Sequence, residues 1–303
     1  MERKHHIEII AELGINHCGD ASLLRDMIHK AAECKADTVK IQLYDPKTVF
    51  GDPPIEPEKF SKLEWEAIYA ARLGRRQVFW IKSECERAGI DFLASVSDLE
   101  RLGWLDDVGV DRYKIASDDA LNEELCKAII TKGKPIIVSD GYIYSFDFKP
   151  DYLHFKKGID LFNKEEISWL YCISEYPVKP SKLHFFECIQ TFKGINLTKR
   201  EIKESKTSVE VNIGGEYEEL EISPIKSIFE NSYIGFSDHT IGITAAVVAM
   251  SLGARIIEKH FTLDKTLPGP DQVCSIDPEE LKQLCKMRDD IEEILYKKDK
   301  ESA

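Results

Sequence analysis

A stretch late in the chain concentrates side chains that could do chemistry. Residues 256–271, IIEKHFTLDKTLPGPD, place Glu258, Lys259 and His260 directly after an apolar run and close on a Pro-Gly-Pro turn and Asp271. A carboxylate and an imidazole can move protons or bind a metal ion. Because side chains alternate along a strand, we expect Lys259 to point away from Glu258 and His260.

The other short apolar segments also end in polar residues. In chain order these are Glu12, Lys40, Gln42, Ser95, Ser97, Lys114, Ser117, Asp119, Ser139, Asp140, Ser174, Tyr176, Ser237, Asp238 and His239. Two lysines, several serine hydroxyls and nearby backbone amides are what a phosphate monoester or a phosphoenol group needs for charge neutralisation and hydrogen bonding. The sequence therefore indicates a site for a small phosphorylated anion.

Two histidines on neighbouring segments, His239 and His260, suit a catalytic divalent metal of the manganese type. Two imidazoles leave positions open for water and substrate, and Glu12 or Asp271 could complete the shell. The sequence has no HExxH and no His-x-His after its first apolar segment, so the zinc hydrolase barrels are a poorer match.

Each of these residue types also has a structural explanation. A lysine inside an apolar run needs a partner, so Lys40 and Lys114 could form ion pairs with Glu12 or Asp119. Serines at strand ends commonly cap the following helix. A lone histidine is more often a hydrogen-bonded core residue than a ligand. Convergence of all these residues at one place is what favours the functional interpretation.

Eight apolar segments, each too short for a helix, alternate with amphipathic stretches. The segments cover residues 6–13, 36–44, 90–97, 110–117, 134–141, 167–174, 232–238 and 254–261. Their Ile and Val content predicts strands, and the stretches between them, several ending at glycine, predict helices. Eight such units predict an α/β fold, a TIM (β/α)8 barrel, whose catalytic groups lie where strands end. An open doubly wound sheet is the alternative, but no GxGxxG follows the first segment.

Two stretches exceed a minimal barrel. Residues 44–80 form a long Pro-rich connection, and residues 194–230 contain an alternating pattern around Gly214-Gly215 that predicts a β-hairpin inserted before the seventh strand. Either could be a functional element or a tolerated surface insertion. A helical pattern after Pro278 ends the sequence, so we expect residues 1–303 to form a single barrel domain.

Composition and net charge make some classes of partner and some cellular locations less favourable than others. The 303 residues are 43% hydrophobic, which allows a large core, and the formal net charge of −13 disfavours nucleic acid and anionic membranes as partners. The first residues fit neither a secretory signal nor an anchor, and no apolar run reaches the ~20 residues of a membrane span, so we expect a cytoplasmic protein. Eight cysteines without a CxxC pair indicate neither a zinc ribbon nor a disulfide scaffold.

Eight stretches of the sequence carry a family resemblance. They are IIAELGINHCGD, ADTVKIQLYD, GIDFLASVSDLE, DRYKIASDD, KPIIVSDG, YCISEYPVKP, IGFSDHTIGI and GARIIEKHFTLDKTLPGPDQVCSIDPEEL. In this order they resemble the motifs of the sialic acid synthases, the N-acetylneuraminate synthase type of phosphoenolpyruvate-condensing barrel. They span most of residues 7–281, and the last two are highly specific.

The resemblance implies a metal-dependent condensation of phosphoenolpyruvate with an N-acetylated amino-sugar aldehyde, such as N-acetylmannosamine, to give a nonulosonic acid and phosphate. By matching positions, His239 and His260 are the implied ligands of a divalent metal, with manganese expected and magnesium or cobalt open. The implied catalytic residues are Glu12, Glu258 and His260. The implied phosphoenolpyruvate site comprises Lys40, Ser95, Lys114, Ser117, Ser139, Ser174 and Ser237. The implied acceptor-sugar site comprises Gln42, Asp119, Tyr176 and Asp271.

The chain departs from the family pattern in two respects. The family usually carries a C-terminal antifreeze-like domain that reaches into the partner subunit, and we expect the present barrel to lack it. The third to fifth strand motifs usually read Ser-Thr-Pro-Phe, Gly-Ser-Gly-Glu and Ser-Thr-Gly, whereas this chain has ASVS, ASDD and SDG. The acceptor could therefore be another sugar, such as a legionaminate or pseudaminate precursor or a spore-coat saccharide unit.

Partners and alternative functions follow from the same departures. The barrel could form a homodimer, or a separate protein could supply the missing lid over its site. Two other functions stay open beside the synthase. One is a catalytically altered barrel that acts as a binding or scaffold partner in surface polysaccharide biosynthesis, and the other is a metal-dependent sugar-phosphate hydrolase.

Overall fold

Strands and helices alternate along the chain. The structure, a computed structural model, describes residues 6–141, 167–183, 185 and 234–296, and the backbone of residues 208–213 and 216–221. The strands are β1 (Glu8–Gly14), β2 (Thr38–Leu43), β3 (Asp91–Val96), β4 (Tyr113–Ile115), β5 (Ile136–Asp140), β6 (Ile167–Cys172), β7 (Ser208–Ile213), β8 (Glu216–Glu221), β9 (Gly235–Asp238) and β10 (Ile256–His260). The helices are α1 (Ala21–Glu33), α2 (Pro46–Phe50), α3 (Lys62–Ala70), α4 (Arg75–Ala88), α5 (Leu99–Val108), α6 (Glu123–Ile130), α7 (Thr244–Ser251) and α8 (Pro278–Tyr296).

Eight of the strands close into one parallel barrel. Around the barrel the order is β1-β10-β9-β6-β5-β4-β3-β2, and β2 pairs with β1 to close it. These strands are the eight segments that the sequence predicts, so the TIM-barrel prediction is confirmed and the open-sheet alternative is wrong. Because all eight run in parallel, their C-terminal ends meet at one rim of the barrel.

Side chains on the barrel strands alternate between two cores. Ile9, Val39 and Ile257 belong to a large core shared with the surrounding helices. A separate apolar cluster forms the floor of the barrel interior and consists of Ile10, Leu93, Ile137, Leu170 and Ile256. Since strand side chains repeat every second residue, the next inward positions toward the rim lie two residues further along each strand. These positions are Glu12, Ser95, Ser139, Cys172 and Glu258.

Capping residues fix where several helices begin and end. Asp20 caps the start of α1 by accepting from the backbone N–H groups of Ser22 and Leu23, and Gly89, in the left-handed conformation with φ 69°, caps the end of α4. The caps of α5 and α6 are not serines, since Asp98 and Asn122 accept the capping hydrogen bonds. The serines that end β3 and β4 are therefore free of a capping role in those helices.

The long connection of residues 44–80 is a folded element. It contains α2 and α3, and the rings of Phe50, Phe60 and Trp65 meet edge to face at centroid separations of 5.0–6.3 Å. The Tyr44 hydroxyl donates to the backbone carbonyl of Ile68 at 2.7 Å. The connection therefore has a small core of its own, built on the end of β2.

The second insertion is described only in its strands. Backbones of β7 and β8 pair antiparallel from Ser208 with Glu221 to Ile213 with Glu216, as a two-stranded sheet outside the barrel. The Gly214-Gly215 turn of the predicted hairpin, and the rest of residues 194–230, lie outside the described residues. None of the helices in the described part of the chain is long and apolar enough to cross a membrane.

Candidate active site

The barrel mouth contains a buried group of alternating charges. Lys40 Nζ contacts a carboxylate oxygen of Glu12 and lies 3.8 Å from Glu258 Oε1. Lys114 Nζ lies 3.9 Å from the other oxygen of Glu258. All four residues are almost completely buried, with exposures of 1–6%. Lys40 thus forms the ion pair with Glu12 that the sequence allowed, whereas the carboxylate nearest Lys114 is Glu258.

Serine hydroxyls extend this charged group. Lys114 Nζ donates to Ser139 Oγ at 2.6 Å and to the carbonyl of Ile115 at 3.0 Å, and Ser237 Oγ donates to Glu258 Oε1 at 3.2 Å. Glu12 Oε1 and Glu258 Oε2 have no hydrogen-bond partner among the described residues. Buried carboxylate oxygens normally have partners, so these oxygens are available to a bound ligand or water.

Burial and charge separate the acidities of the two glutamates. Burial raises the pKa of Glu12 to about 7, although Lys40 opposes it. For Glu258 burial acts in the same direction, but Lys114 and Lys40 outweigh it and the pKa is lowered. Two carboxyl groups with pKa values shifted apart can serve as a proton donor and a proton acceptor at the same pH.

A pair of serine hydroxyls at the barrel mouth lies beside a glycine. Ser117 Oγ and Ser174 Oγ are 2.8 Å apart. A Cβ added at Gly141 would lie 2.1 Å from Ser174 Oγ and 2.9 Å from Ser117 Cβ. Only a residue without a side chain fits at this place, so Gly141 allows the two hydroxyls to approach each other.

The two predicted metal ligands lie side by side. The ring centroids of His239 and His260 are 5.5 Å apart, and the Tyr176 ring stacks on His239 at 4.1 Å and meets His260 edge-on at 5.8 Å. His239 Nδ1 lies 2.8 Å from the carbonyl of Ile173. A carbonyl only accepts, so Nδ1 carries the proton and Nε2 keeps its lone pair.

Both imidazoles have the protonation state of a ligand. Burial lowers the pKa of His239 to about 4 and lowers the pKa of His260 well below the usual value, so both rings are neutral at pH 7. His260 Nδ1 is buried and has no hydrogen-bond partner among the described residues. Within that part of the chain no third His, Cys, Asp or Glu completes a metal-binding group. The residues fit a two-histidine site whose remaining ligands come from substrate and water.

Three predicted residues surround one point beside the histidines. A Cβ added at Gly14 would lie 3.0 Å from Glu12 Oε1, 3.4 Å from Gln42 Nε2 and 3.5 Å from Asp271 Oδ2. Asp271 Oδ2 is also 3.8 Å from His260 Nδ1. Burial raises the pKa of Asp271 to about 6, against the charge of Lys40.

Buried hydrogen bonds hold the turn that carries Asp271. Asn16 Nδ2 donates to the carbonyl of Phe261 at 2.9 Å and to Ser275 Oγ at 2.8 Å. Ser275 Oγ in turn donates to the backbone carbonyl of Asp271 at 2.7 Å. The loop after β1 therefore fastens the turn after β10 over the barrel mouth.

Two further predicted residues complete the rim. Asp119 accepts a hydrogen bond from Ser97 Oγ at 3.2 Å, and burial raises its pKa to about 7. Ser95 is buried and lies in register with Gln42 on one side and Lys114 on the other. The predicted site residues thus lie on the barrel strands or in the loops that follow them, with Lys40 in the first half of β2 and Asp271 in the turn after β10.

The comparison with known proteins identifies the family. Residues 27–196 and 216–300, which make up most of the chain, match the NeuB family. The chain belongs to the NeuB family. This bears out the resemblance to sialic acid synthases that the motifs carry.

Similar proteins span most of the chain. N,N'-diacetyllegionaminic acid synthase of Legionella pneumophila is 29% identical over 95% of this chain and 72% of its own length. An uncharacterized protein of Methanocaldococcus jannaschii is 32% identical over 91% of this chain and 68% of its own length. The crystal structure of N-acetylneuraminic acid synthetase from Leptospira borgpetersenii, in complex with citrate, matches with a TM-score of 0.73 at 28% identity, over 96% of this chain and 85% of that one.

Some residues of this NeuB-family site are not evident from the sequence. Cys172 faces the barrel interior with its Sγ 3.9 Å from His239 Nδ1, although the scattered cysteines are typical of small core residues. Gly14 and Gly141 matter for the side chains that they leave room for. For Cys172 a signal was present, since stepping by two residues from Leu170 gives Cys172 and then Ser174.

Proposed function

We propose that this chain is a nonulosonate synthase that condenses phosphoenolpyruvate with an open-chain 2-acetamido sugar. One observation carries the proposal: two buried lysines, a ring of serines and two neutral imidazoles converge on one barrel mouth, in a chain of the NeuB family. Relatives named as synthases of sialic-type acids support it.

Lys40 and Lys114 would bind the anionic groups of phosphoenolpyruvate. Each ammonium is buried, so a phosphate or carboxylate that displaces a neighbouring carboxylate from it meets a strong charge-assisted hydrogen bond. Ser139, which accepts from Lys114, and the Ser117–Ser174 pair would donate hydrogen bonds to phosphate oxygens. Ser95 and Ser237 face the same interior and would complete this group of hydroxyls.

His239 and His260 would hold a divalent metal, for which manganese is the first candidate. When bound, the metal would supply a Lewis acid that polarises the aldehyde oxygen of the acceptor. The stacked Tyr176 ring limits the directions from which water reaches the imidazoles. In this way the chain's own residues would favour substrate over bulk water at the site.

The two glutamates would handle the protons. The methylene carbon of phosphoenolpyruvate forms a bond to the aldehyde carbon, and the aldehyde oxygen takes a proton from Glu12, whose pKa of about 7 leaves a protonated fraction at neutral pH. Water then adds at C2 and gives its proton to Glu258, which Lys40 and Lys114 keep ionised. Loss of phosphate leaves the 2-keto acid, so the atoms of both substrates and one water are accounted for.

Gln42, Asp119, Tyr176 and Asp271 would bind the acceptor sugar. Gln42 and Asp271 lie together around Gly14, whereas Asp119 accepts a hydrogen bond from Ser97 after β3. Of the altered motifs, the fourth-strand ASDD contributes Asp119 to this set, at the position where the family pattern has Glu. The acceptor is therefore expected to be a 2-acetamido sugar selected by an unusual arrangement of carboxyl groups.

A product screen tests the proposal. The chain is incubated with phosphoenolpyruvate, Mn²⁺ and each member of a panel of 2-acetamido sugars, and products are identified by mass spectrometry while phosphate release is recorded. Phosphate is expected only when all three components are present, with a product equal in mass to the condensed 2-keto acid. Phosphate release without an acceptor would instead support a hydrolase. Tight phosphoenolpyruvate binding without turnover on the whole panel would refute the synthase.

A further inference from the structure

A second ion pair lies on the opposite face of the strands that carry the histidines. Asp238 and Lys259 are register partners on β9 and β10, and Lys259 Nζ lies 3.2 Å from Asp238 Oδ2. Neither side chain has any exposed surface. Each points outward, away from Glu258 and His260, into the core between barrel and helices.

This position is unusual for charged residues. The outward positions next to them along the two strands are Phe236, Ile257 and Phe261, all members of the large apolar core. Replacing a buried ion pair by apolar residues is often neutral or stabilising, so stability alone is a weak reason for charges here. The contacts of the pair point to a different role.

Both members of the pair form hydrogen bonds with the backbone of Thr240, the residue that follows His239. Asp238 Oδ1 accepts the backbone N–H of Thr240 at 2.7 Å, which forms an Asx turn centred on His239. Lys259 Nζ donates to the backbone carbonyl of Thr240. The His239 carbonyl accepts from the Val178 backbone N–H at 2.9 Å.

The Lys259 ammonium joins the strand of His260 to the turn that carries His239. Lys259 immediately precedes His260 on β10, and its Nζ holds the turn that carries His239 at the end of β9. A shift of that turn relative to β10 would change the separation of the two imidazoles. Side chains behind metal ligands orient those ligands, and their loss commonly lowers metal affinity.

We propose that Asp238 and Lys259 are positioning residues that set the relative placement of His239 and His260 for binding one metal ion. The inference rests on the proposed two-histidine metal site. The pair touches neither substrate position, so its removal should act through ligand geometry.

The test uses Co²⁺ alone as a spectroscopic probe. Visible absorption is recorded while Co²⁺ is titrated into the metal-free wild type, Lys259→Met and Asp238→Asn. We expect affinity to fall roughly 10- to 100-fold in both variants, with altered absorption bands. Arg112→Met is the matched control, since it breaks a partly buried pair with Glu8 at the other end of the barrel and should leave the Co²⁺ spectrum unchanged.

Two further measurements distinguish a folding defect in the variants from a change in the placement of the two imidazoles. The double variant Lys259→Met/Asp238→Asn leaves no lone buried charge, and it should fold while keeping the weakened Co²⁺ binding. In metal-free protein, ¹⁵N NMR of labelled histidine should show a changed signal for the protonated Nδ1 of His239 in the variants.

Three outcomes of the Co²⁺ titration test the positioning role of Asp238 and Lys259. Wild-type Co²⁺ affinity and spectrum in the folded variants would overturn the positioning role while leaving the metal site intact. Failure of the wild type to bind Co²⁺ would refute the proposed metal site and this inference together. Weakened binding in the Lys259 and Asp238 variants, with normal binding in Arg112→Met, would establish the role.

Discussion

Replacing Gly141 with alanine should disturb the phosphate-binding serines. The added Cβ would lie 2.1 Å from Ser174 Oγ and 2.9 Å from Ser117 Cβ, whereas carbon atoms in contact prefer about 3.5–4.0 Å. The Ser174 hydroxyl can rotate away, but it then loses its 2.8 Å hydrogen bond to Ser117. Ser117 Cβ has no such freedom, so the backbone before the short helical turn at Asp118–Leu121 must retreat by about half an ångström or more.

The size of the effect follows from that displacement. Overpacking of this kind costs about 1–3 kcal/mol of folding free energy, and the lost hydrogen bond about 0.5–1.5 kcal/mol more. Misplacement of a positioning group by ~1 Å can lower activity about 100-fold. We therefore expect a Tm lower by several degrees and a phosphoenolpyruvate KM raised at least 10-fold, roughly 1.4 kcal/mol of binding.

Three measurements check this prediction. Differential scanning fluorimetry gives Tm, calorimetric titration gives the Kd of phosphoenolpyruvate, and phosphate release gives KM. Gly103→Ala is the matched control, because its Cβ enters open space in the middle of α5 and should leave binding unchanged while slightly raising Tm. Ser174→Ala removes the hydroxyl without strain and should weaken binding less. Wild-type affinity in a folded Gly141→Ala protein would refute the role given to the serine pair.

Three other perturbations have defined outcomes. Lys114→Met should raise the phosphoenolpyruvate KM roughly 10- to 100-fold in the phosphate-release assay, since it removes a charge-assisted hydrogen bond; unchanged KM would remove Lys114 from the binding site. His260→Ala should abolish metal-dependent turnover and Mn²⁺ binding by calorimetry, while His29→Ala, at the contact of α1 with Glu84 of α4, should change neither. Asp119→Asn should stabilise the protein at pH 8 and not at pH 4. The folded pKa of Asp119, about 7, exceeds its unfolded value, so the native state loses stability as pH rises from about 4 to 7, by up to ~4 kcal/mol; parallel pH profiles of Tm in both proteins would contradict this.

Much of the fold is readable from the sequence because local pattern decides it. Each barrel strand is a short Ile- and Val-rich run, and its inward and outward faces follow from the alternation of side chains alone. That alternation by itself predicts that Lys259 lies on the opposite face from Glu258 and His260, and the contacts of Lys259 and Glu258 confirm it. The family follows from the collinear motifs.

Contacts across strands could not be predicted in the same way. The sequence offers Glu12 and Asp119 equally as partners of Lys40 and Lys114, and only the barrel's register makes Glu12 the partner of Lys40 and Glu258 the neighbour of both lysines. The sequence of residues 44–80 predicts only a Pro-rich connection and not its aromatic core. The Phe50 ring meets the rings of Phe60 and Trp65, which lie ten or more positions further along the chain, and a pattern of neighbouring residues does not predict such contacts.

The sequence by itself determines which residues end the strands, which side of each strand they occupy and which family they indicate, because those properties repeat over a few neighbouring positions. The tertiary structure alone decides that Gly141 leaves room for a pair of serines, that Asn16 holds the turn of Asp271, and that Lys259 reaches behind His239 to Thr240. Each depends on bringing together residues far apart in the chain, at distances fixed by how the barrel closes. The residue types at the barrel mouth thus follow from local sequence, and the strand register brings them into contact.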